Sequence, residues 1–181
     1  MRLKILFISF DHFISEALAP ADDYNAATRV AQAVLYQKWK GYAPPSTCTL
    51  VPLAGTTCEN NKHRCAYIAL CPTMRIPSSV SWNREIVYNC MWSLLNTLVN
   101  HNAEGNGSPI QKVLLTGLAT GVGHVPAKLC AEQMALAIRD FADATARPEV
   151  WGNLEWRDAM KIAADTESTN TREEKQEEGP P

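Results

Sequence analysis

The stretch "LLTGLATGVGHVPAKLCAEQMALAIRDF", residues 114–141, joins an apolar run to a helical pattern through three closely spaced glycines. Gly117, Gly121 and Gly123 stand just before a segment whose apolar residues recur at helical spacing. One glycine would be enough for a turn from a strand into a helix. Three therefore predict a backbone that another group approaches closely, and we call residues 117–125 the glycine loop.

This transition belongs to an alternation of strands and helices along the chain. Short apolar runs predict strands at residues 3–9, 47–53, 65–71 and 110–116. Helical patterns lie between them, one behind Asp22 and Asp23, one with Ser81 as its N-cap, and one with Pro126 in its first turn. Strands that are apolar on both faces and alternate with helices are typical of an α/β fold.

Two loops follow the predicted strands directly. They are the glycine loop and "PTMRIP", residues 72–77, which we call the proline loop. Ligands of layered α/β folds bind beyond the carboxyl ends of the strands. We therefore expect both loops at one edge of the sheet, beside any ligand.

Composition and charge favour a globular protein and exclude several classes of partner. The chain has 181 residues, of which 46% are hydrophobic, and a formal net charge of −2. This charge argues against a nucleic-acid-binding surface, and no run approaches the ~18 apolar residues of a membrane span. Asp11 and His12 interrupt the N-terminal apolar run, which favours a first strand over a secretory signal. We expect a cytoplasmic or nuclear protein with no membrane or nucleic-acid partner.

The six cysteines lie in predicted strands and helices, which favours reduced, buried thiols. Only one group invites comparison with a zinc site, and its spacing matches no paired-cysteine pattern: Cys58, His63, Cys65 and Cys71. We predict no metal and no cofactor.

The chain changes character at Asp165. Residues 165–181 hold six acidic and two basic residues and no aliphatic or aromatic side chain. Such a composition predicts disorder. The predicted organisation is one domain over residues 1–164 and a disordered acidic tail over 165–181.

The glycine loop has the chemistry of an anion site. A helix N-terminus presents unpaired amides and a partial positive charge, and preceding glycines let the backbone wrap around a phosphate. The loop is not a Walker motif, because His124 and Val125 follow Gly123, and its glycine spacing is not GxGxxG. A tight strand-to-helix turn without a ligand remains the alternative.

The loop resembles that of the macro domains, which bind ADP-ribose and related nucleotides. Residues 119–126, "ATGVGHVP", stand in the register of the family's glycine loop. "CPTMRIP" and "EQMALAIRDF" are similar to motifs of a branch that includes fungal proteins, and the likeness covers about Phe10 to Phe141. The resemblance implies a three-layer α/β/α fold with a reduced mixed sheet. Of the family's N-terminal part only "FDHFI", residues 10–14, has a counterpart here, so the chain resembles a truncated version.

The resemblance also implies a ligand site. The amides around Thr120 to His124 would bind the diphosphate and the distal ribose. The proline loop would form a neighbouring wall, with Arg75 as its charged residue. The alternative role for Arg75 is a salt bridge that fixes this loop. The implied ligand-binding residues are Gly117, Ala119, Thr120, Gly121, Val122, Gly123, His124, Pro72, Thr73 and Arg75.

Asp11 is the implied catalytic residue. In hydrolytic macro domains the corresponding carboxylate positions or activates a water near the ribose, a task suited to this group. A first-turn or capping acid of the helix "HFISEAL" is the alternative role. Three functions follow: binding of ADP-ribose or an ADP-ribosylated protein, hydrolysis of an ADP-ribosyl linkage, or protein interaction by a degenerate domain without ligand.

Overall fold

A computed structural model describes residues 10–105 and 107–177, although the side chains of Phe10, Asp11 and residues 171–177 lie outside the description. The elements are α1 (Phe10–Leu18), α2 (Ala26–Trp39), β1 (Thr49–Pro52), β2 (Tyr67–Leu70), α3 (Ile86–Glu104), α4 (Ala127–Ala146), α5 (Pro148–Trp151) and α6 (Trp156–Glu177). The protein is thus of mixed α/β class, with more helix than strand. The predicted strand at residues 3–9 lies outside the described residues.

The chain forms two compact units. The first comprises the described residues up to Ala43 together with Thr49–Leu70, and the second comprises Pro44–Cys48 and the described residues from Cys71 onward. The first unit contains α1, α2 and a two-stranded antiparallel sheet of β1 and β2. Its core consists of Leu18, Ala26, Ala27, Leu53 and Cys58. The strands predicted at 47–53 and 65–71 are confirmed as β1 and β2.

The second unit is helical in its regular elements. Its core lies between α3 and α4 and includes Val87, Cys90, Val125 and Cys130. An aromatic group extends this core towards α5, because Trp92 stacks on Trp151 with ring centroids 5.5 Å apart and meets the edge of Phe141 at 5.2 Å. The helix predicted from Pro126 is confirmed as α4, with Pro126 as its N-cap.

Residues 110–116 differ from the sequence-based prediction. They form no strand in the structure, and the Leu114 side chain is 95% exposed. An apolar run becomes a central strand only if neighbouring strands pair with both of its edges. The local sequence shows the apolar run, but it does not show whether neighbouring strands are present to pair with it.

The predicted cap of α3 is also wrong. The Ser81 hydroxyl lies 3.0 Å from that of Ser79, and α3 begins five residues later with Glu85 as an N-cap that makes no side-chain cap hydrogen bond.

The region predicted as a disordered tail is different as well. Helix α6 runs through the predicted boundary at Asp165 to Glu177. Thr166, Thr169 and Asn170 are buried, and their polar side chains are satisfied by hydrogen bonds. The composition rule counts apolar side chains, so it misses a helix that is held by buried polar groups.

Candidate functional site

The glycine loop leads into α4 and is shaped by its own hydrogen bonds. The Val125 amide donates to the Ala119 carbonyl at 3.1 Å, and the His124 amide donates to the Gly121 carbonyl at 2.9 Å. The Thr120 hydroxyl donates to the Gly117 carbonyl at 2.9 Å. These bonds close a compact loop directly before the first turn of α4.

The three glycines have different roles in this loop. A Cβ at Gly123 would lie 2.5 Å from the Ala119 carbonyl oxygen, and one at Gly117 would lie 2.8 Å from the Thr120 side chain. Gly123 therefore needs glycine for the packing of the loop on its own backbone, whereas a Cβ at Gly117 would displace the Thr120 side chain. A Cβ at Gly121 would meet nothing within 4 Å. Open space for an external group thus exists at only one of these three glycines.

Two residues of the glycine loop that are not glycines have a left-handed backbone conformation, which the sequence did not predict. Ala119 has φ of 60° and His124 has φ of 57°. Non-glycine residues in this region are strained, and such strain is concentrated at functional sites. No local sequence signal marks either residue, because alanine and histidine occur freely in ordinary turns.

Among the described residues, none accepts a hydrogen bond from the amides of Gly121, Val122 or Gly123. The first turn of α4 also lacks a side-chain cap, because Pro126 occupies the N-cap position. Gly121, Val122 and His124 are exposed. Gly123 is buried, so the loop combines the amides of two exposed residues, Gly121 and Val122, with the positive end of the α4 dipole.

The proline loop lies beside the glycine loop within the same unit. The Val80 amide donates to the Gly123 carbonyl at 3.0 Å. Met74, Leu118 and Ala119 pack against the core cluster that contains Val80 and Val125. Met74 of the proline loop and Leu118 of the glycine loop therefore pack on the same core cluster, and Val80, three residues after the proline loop, is bonded to Gly123. Val80, which connects them, was not predicted to have a role at the site.

The predicted residues of the proline loop differ in accessibility. Pro72 and Thr73 are half-buried, whereas Arg75 is exposed and Ile76 is 66% exposed. The Cys90 thiol donates a hydrogen bond to the Pro72 carbonyl at 3.6 Å, which fixes the start of this loop on α3.

Asp11 belongs to the other compact unit. Its backbone lies in the first turn of α1, and its side chain is outside the description. The neighbouring His12 ring is hydrogen-bonded through Nδ1 to the Tyr24 hydroxyl. The structure thus places Asp11 at a helix start, and its predicted catalytic role stays a prediction.

The Cys130 thiol, which belongs to the core cluster that also contains Val125 of the glycine loop, is not an activated nucleophile. Burial raises the pKa of the Cys130 thiol, and its S–H lies 3.6 Å from the Met134 sulfur. A buried thiol with a raised pKa is a poor nucleophile at neutral pH. Cys130 therefore contributes to the packing of the core.

Two clefts are lined by residues outside the glycine loop. One, of about 400 Å³, lies between Leu53 and Ala66 in the first unit. The other, of about 350 Å³, lies between α4, α5 and α6 and is lined by Arg147, Trp151 and Ile162 among others. The Arg147 guanidinium and the Trp151 indole both donate to Asp143 there, so the polar groups of this wall bind one another.

Over the described ranges, no three histidine, cysteine, aspartate or glutamate side chains converge as metal ligands. Among those same residues, every helix is too short or too polar to span a membrane. Comparisons with protein-family models, with curated proteins and with solved structures found no match.

Proposed function

We propose that this chain binds ADP-ribose, or a related nucleoside diphosphate, through the glycine loop. The observation that carries the proposal is the open space over Gly121, beside amides without an internal acceptor and at the uncapped start of α4. Phosphate oxygens accept hydrogen bonds from such amides and are stabilised by the helix dipole. The adjoining proline loop supplies a second wall, on which Arg75 is exposed.

The resemblance to macro domains supports the choice of ligand within this chemical class. Any phosphate would suit the amides, whereas the motifs at residues 119–126 and 72–77 favour ADP-ribose. The three-layer α/β/α fold belongs to the same proposal.

Calorimetric titration of the full chain with ADP-ribose tests the proposal. We expect saturable heat from the unmutated protein and none from Gly121→Glu, since a carboxylate would occupy and repel the anion site. Gly121→Gln is the matched control for size, and it should weaken binding less. Both side chains enter open space, so circular dichroism should show that both variants keep the native fold. A flat titration of the unmutated protein would overturn both the binding and the hydrolase versions.

The hydrolase version adds a catalytic role for Asp11. Release of ADP-ribose from an ADP-ribosylated protein should be lost in Asp11→Ala while calorimetric binding of ADP-ribose is retained. Asp22→Ala is the control, because Asp22 is an exposed aspartate of the same unit. If the unmutated protein is as inactive as Asp11→Ala, the protein is a reader of ADP-ribose and not a hydrolase.

The second candidate function is protein interaction by a domain that binds no nucleotide. The observation that favours it is the exposure of Leu114 together with Val113 and Leu115, directly before the glycine loop. Exposed apolar groups of this kind are typical of interaction surfaces. This function predicts a flat ADP-ribose titration together with self-association in sedimentation velocity, and Leu114→Ser should reduce that association.

A further inference from the structure

Two cysteines face each other just beyond the end of the β1–β2 pair. Thr49 lies opposite Leu70 in the antiparallel register. The next residue outward is Cys48 on one strand and Cys71 on the other. Continuation of the register by one step therefore pairs the two cysteines, and both belong to the same compact unit.

Residue pairs in an antiparallel ladder alternate between hydrogen-bonded and non-hydrogen-bonded, and this alternation assigns Cys48 and Cys71 to one of the two kinds. The Leu53 amide donates to the Ala66 carbonyl at 3.0 Å, which marks Leu53–Ala66 as a hydrogen-bonded pair. Such pairs alternate with non-hydrogen-bonded ones, so Pro52 opposite Tyr67 is non-hydrogen-bonded. Proline has no amide hydrogen, and it occupies a position where none is needed.

The same alternation makes Cys48–Cys71 a non-hydrogen-bonded pair. At such positions the Cα atoms are about 4.5 Å apart and the side chains approach most closely. Disulfides typically connect Cα atoms roughly 4.4–6.8 Å apart, so no backbone movement is required. The register thus presents a geometry that a disulfide can close.

The state of the thiols agrees with this geometry. A hydrogen bond with the Cys48 side chain, then burial, raises the pKa of Cys71, which means that the two sulfur atoms are in contact. Both cysteines are half-buried, so a small reagent has access to them. Cys90 is a weaker competitor, because its S–H already donates to the Pro72 carbonyl.

We propose that Cys48 and Cys71 are a redox-modification site that a peroxide or a low-molecular-weight disulfide converts into an intramolecular disulfide. With hydrogen peroxide, one sulfur attacks an oxygen and becomes a sulfenic acid, and the first water leaves. The second sulfur then displaces the sulfenic oxygen as a second water, so two thiols are oxidised and one peroxide is reduced. With a small disulfide, a mixed disulfide forms first and two small thiols are released.

The disulfide would have two local consequences. It would close a loop from residue 48 to residue 71 around the β1–β2 pair, and it would fix the residue before Pro72, where the proline loop starts. Closing a loop of this length stabilises the folded chain by restricting the unfolded one, so the melting temperature should rise by roughly 6–12 °C.

The test begins with the full chain in its reduced state, which is then exposed to hydrogen peroxide or to oxidised glutathione. Mass spectrometry of the non-reduced tryptic digest should show a Cys48–Cys71 link that dithiothreitol removes. Cys48 shares its tryptic peptide with Cys58, and Cys71 shares its peptide with Cys65. Fragment-ion spectra must therefore locate both ends of the link.

Cys71→Ser should abolish the link and the rise in melting temperature, whereas Cys65→Ser, at an exposed cysteine, should leave both unchanged. If Cys71→Ser does not fold, the peptide map of the unmutated chain and the variant Cys48→Ser still decide. A link from Cys48 to Cys90, a link only between molecules, or the absence of any link in the oxidised chain would overturn the proposal.

Discussion

In the glycine loop before α4, the exposed residues Gly121 and Val122 have amides without an acceptor among the described residues, whereas buried polar side chains along α4 have protein partners. Gln133 is 1% exposed, and its side chain accepts from the Tyr88 amide at 3.2 Å and donates to the Arg84 carbonyl at 2.6 Å. One region therefore leaves polar groups available for a ligand, and the other uses them to hold helices together.

The buried region connects three helices. The Tyr88 hydroxyl of α3 donates to Asp140 of α4 at 3.1 Å, and Arg139 pairs with both Asp140 and Asp165 of α6. The Asn170 side chain of α6 donates to the Arg84 carbonyl at 3.1 Å. Because a buried polar group without a partner costs about 1–3 kcal/mol, this network stabilises the fold only while it is complete.

Buried, paired polar residues and exposed, unpaired ones look alike in the sequence. A polar group that is buried and paired is explained by folding, so it gives no information about a ligand. A polar group that is accessible and unpaired within the protein is bonded by water, or by a ligand that displaces this water.

The largest effect should come from truncation after Ala164. This deletion removes Thr166, Thr169 and Asn170, which are buried, and it deprives Gln133 and the Arg84 carbonyl of partners. We expect the free energy of unfolding to fall by roughly 3 kcal/mol or more, measured by urea denaturation.

Truncation after Thr171 is the matched control, because it keeps those three residues. If both truncations were equally stable, the segment from Asp165 would behave as a dispensable tail, and the contribution of α6 to the network would be refuted.

The second prediction compares two glycines of the same loop. Gly123→Ala would place a Cβ 2.5 Å from the Ala119 carbonyl oxygen, so the loop must shift, and we expect a loss of about 2–3 kcal/mol in unfolding free energy. Gly121→Ala enters open space and should change stability by less than about 0.5 kcal/mol. Equal losses would mean that Gly121 also serves the packing of the loop, which would weaken the argument for a ligand there.

The fold was predictable where local pattern decides it. The amphipathic spacing behind Pro126 predicted α4, and the short apolar runs predicted β1 and β2. The pattern failed at residues 110–116, since a strand needs partners from distant parts of the chain. It also failed at α6, where buried threonine and asparagine side chains replace the apolar stripe that helix rules look for.

The glycine loop was predictable as a segment directly before a helix, but its shape was not, and its role as a binding site stays a prediction. Three glycines before a helix indicated a close approach to the backbone. The sequence does not distinguish Gly123, which the loop itself requires, from Gly121, which faces open space. It gives no sign of the left-handed Ala119 and His124, or of the hydrogen bond from Val80 to Gly123, because these depend on how two distant loops pack.

The smallest effect should come from Tyr88→Phe. This change removes one hydrogen bond to the buried Asp140 carboxylate, so we expect a loss of about 1 kcal/mol at neutral pH in urea denaturation.

Tyr88→Phe should also change how the stability of the protein depends on alkaline pH. Burial, together with the nearby Asp140 charge, raises the pKa of Tyr88 in the folded protein. The unfolded chain therefore loses this proton first, and stability falls as the pH rises above about 10. Tyr88→Phe should lessen that fall, whereas Tyr36→Phe, at an exposed tyrosine, should not. Identical alkaline profiles for the unmutated protein and Tyr88→Phe would show that the Tyr88 hydroxyl is not protected by the network.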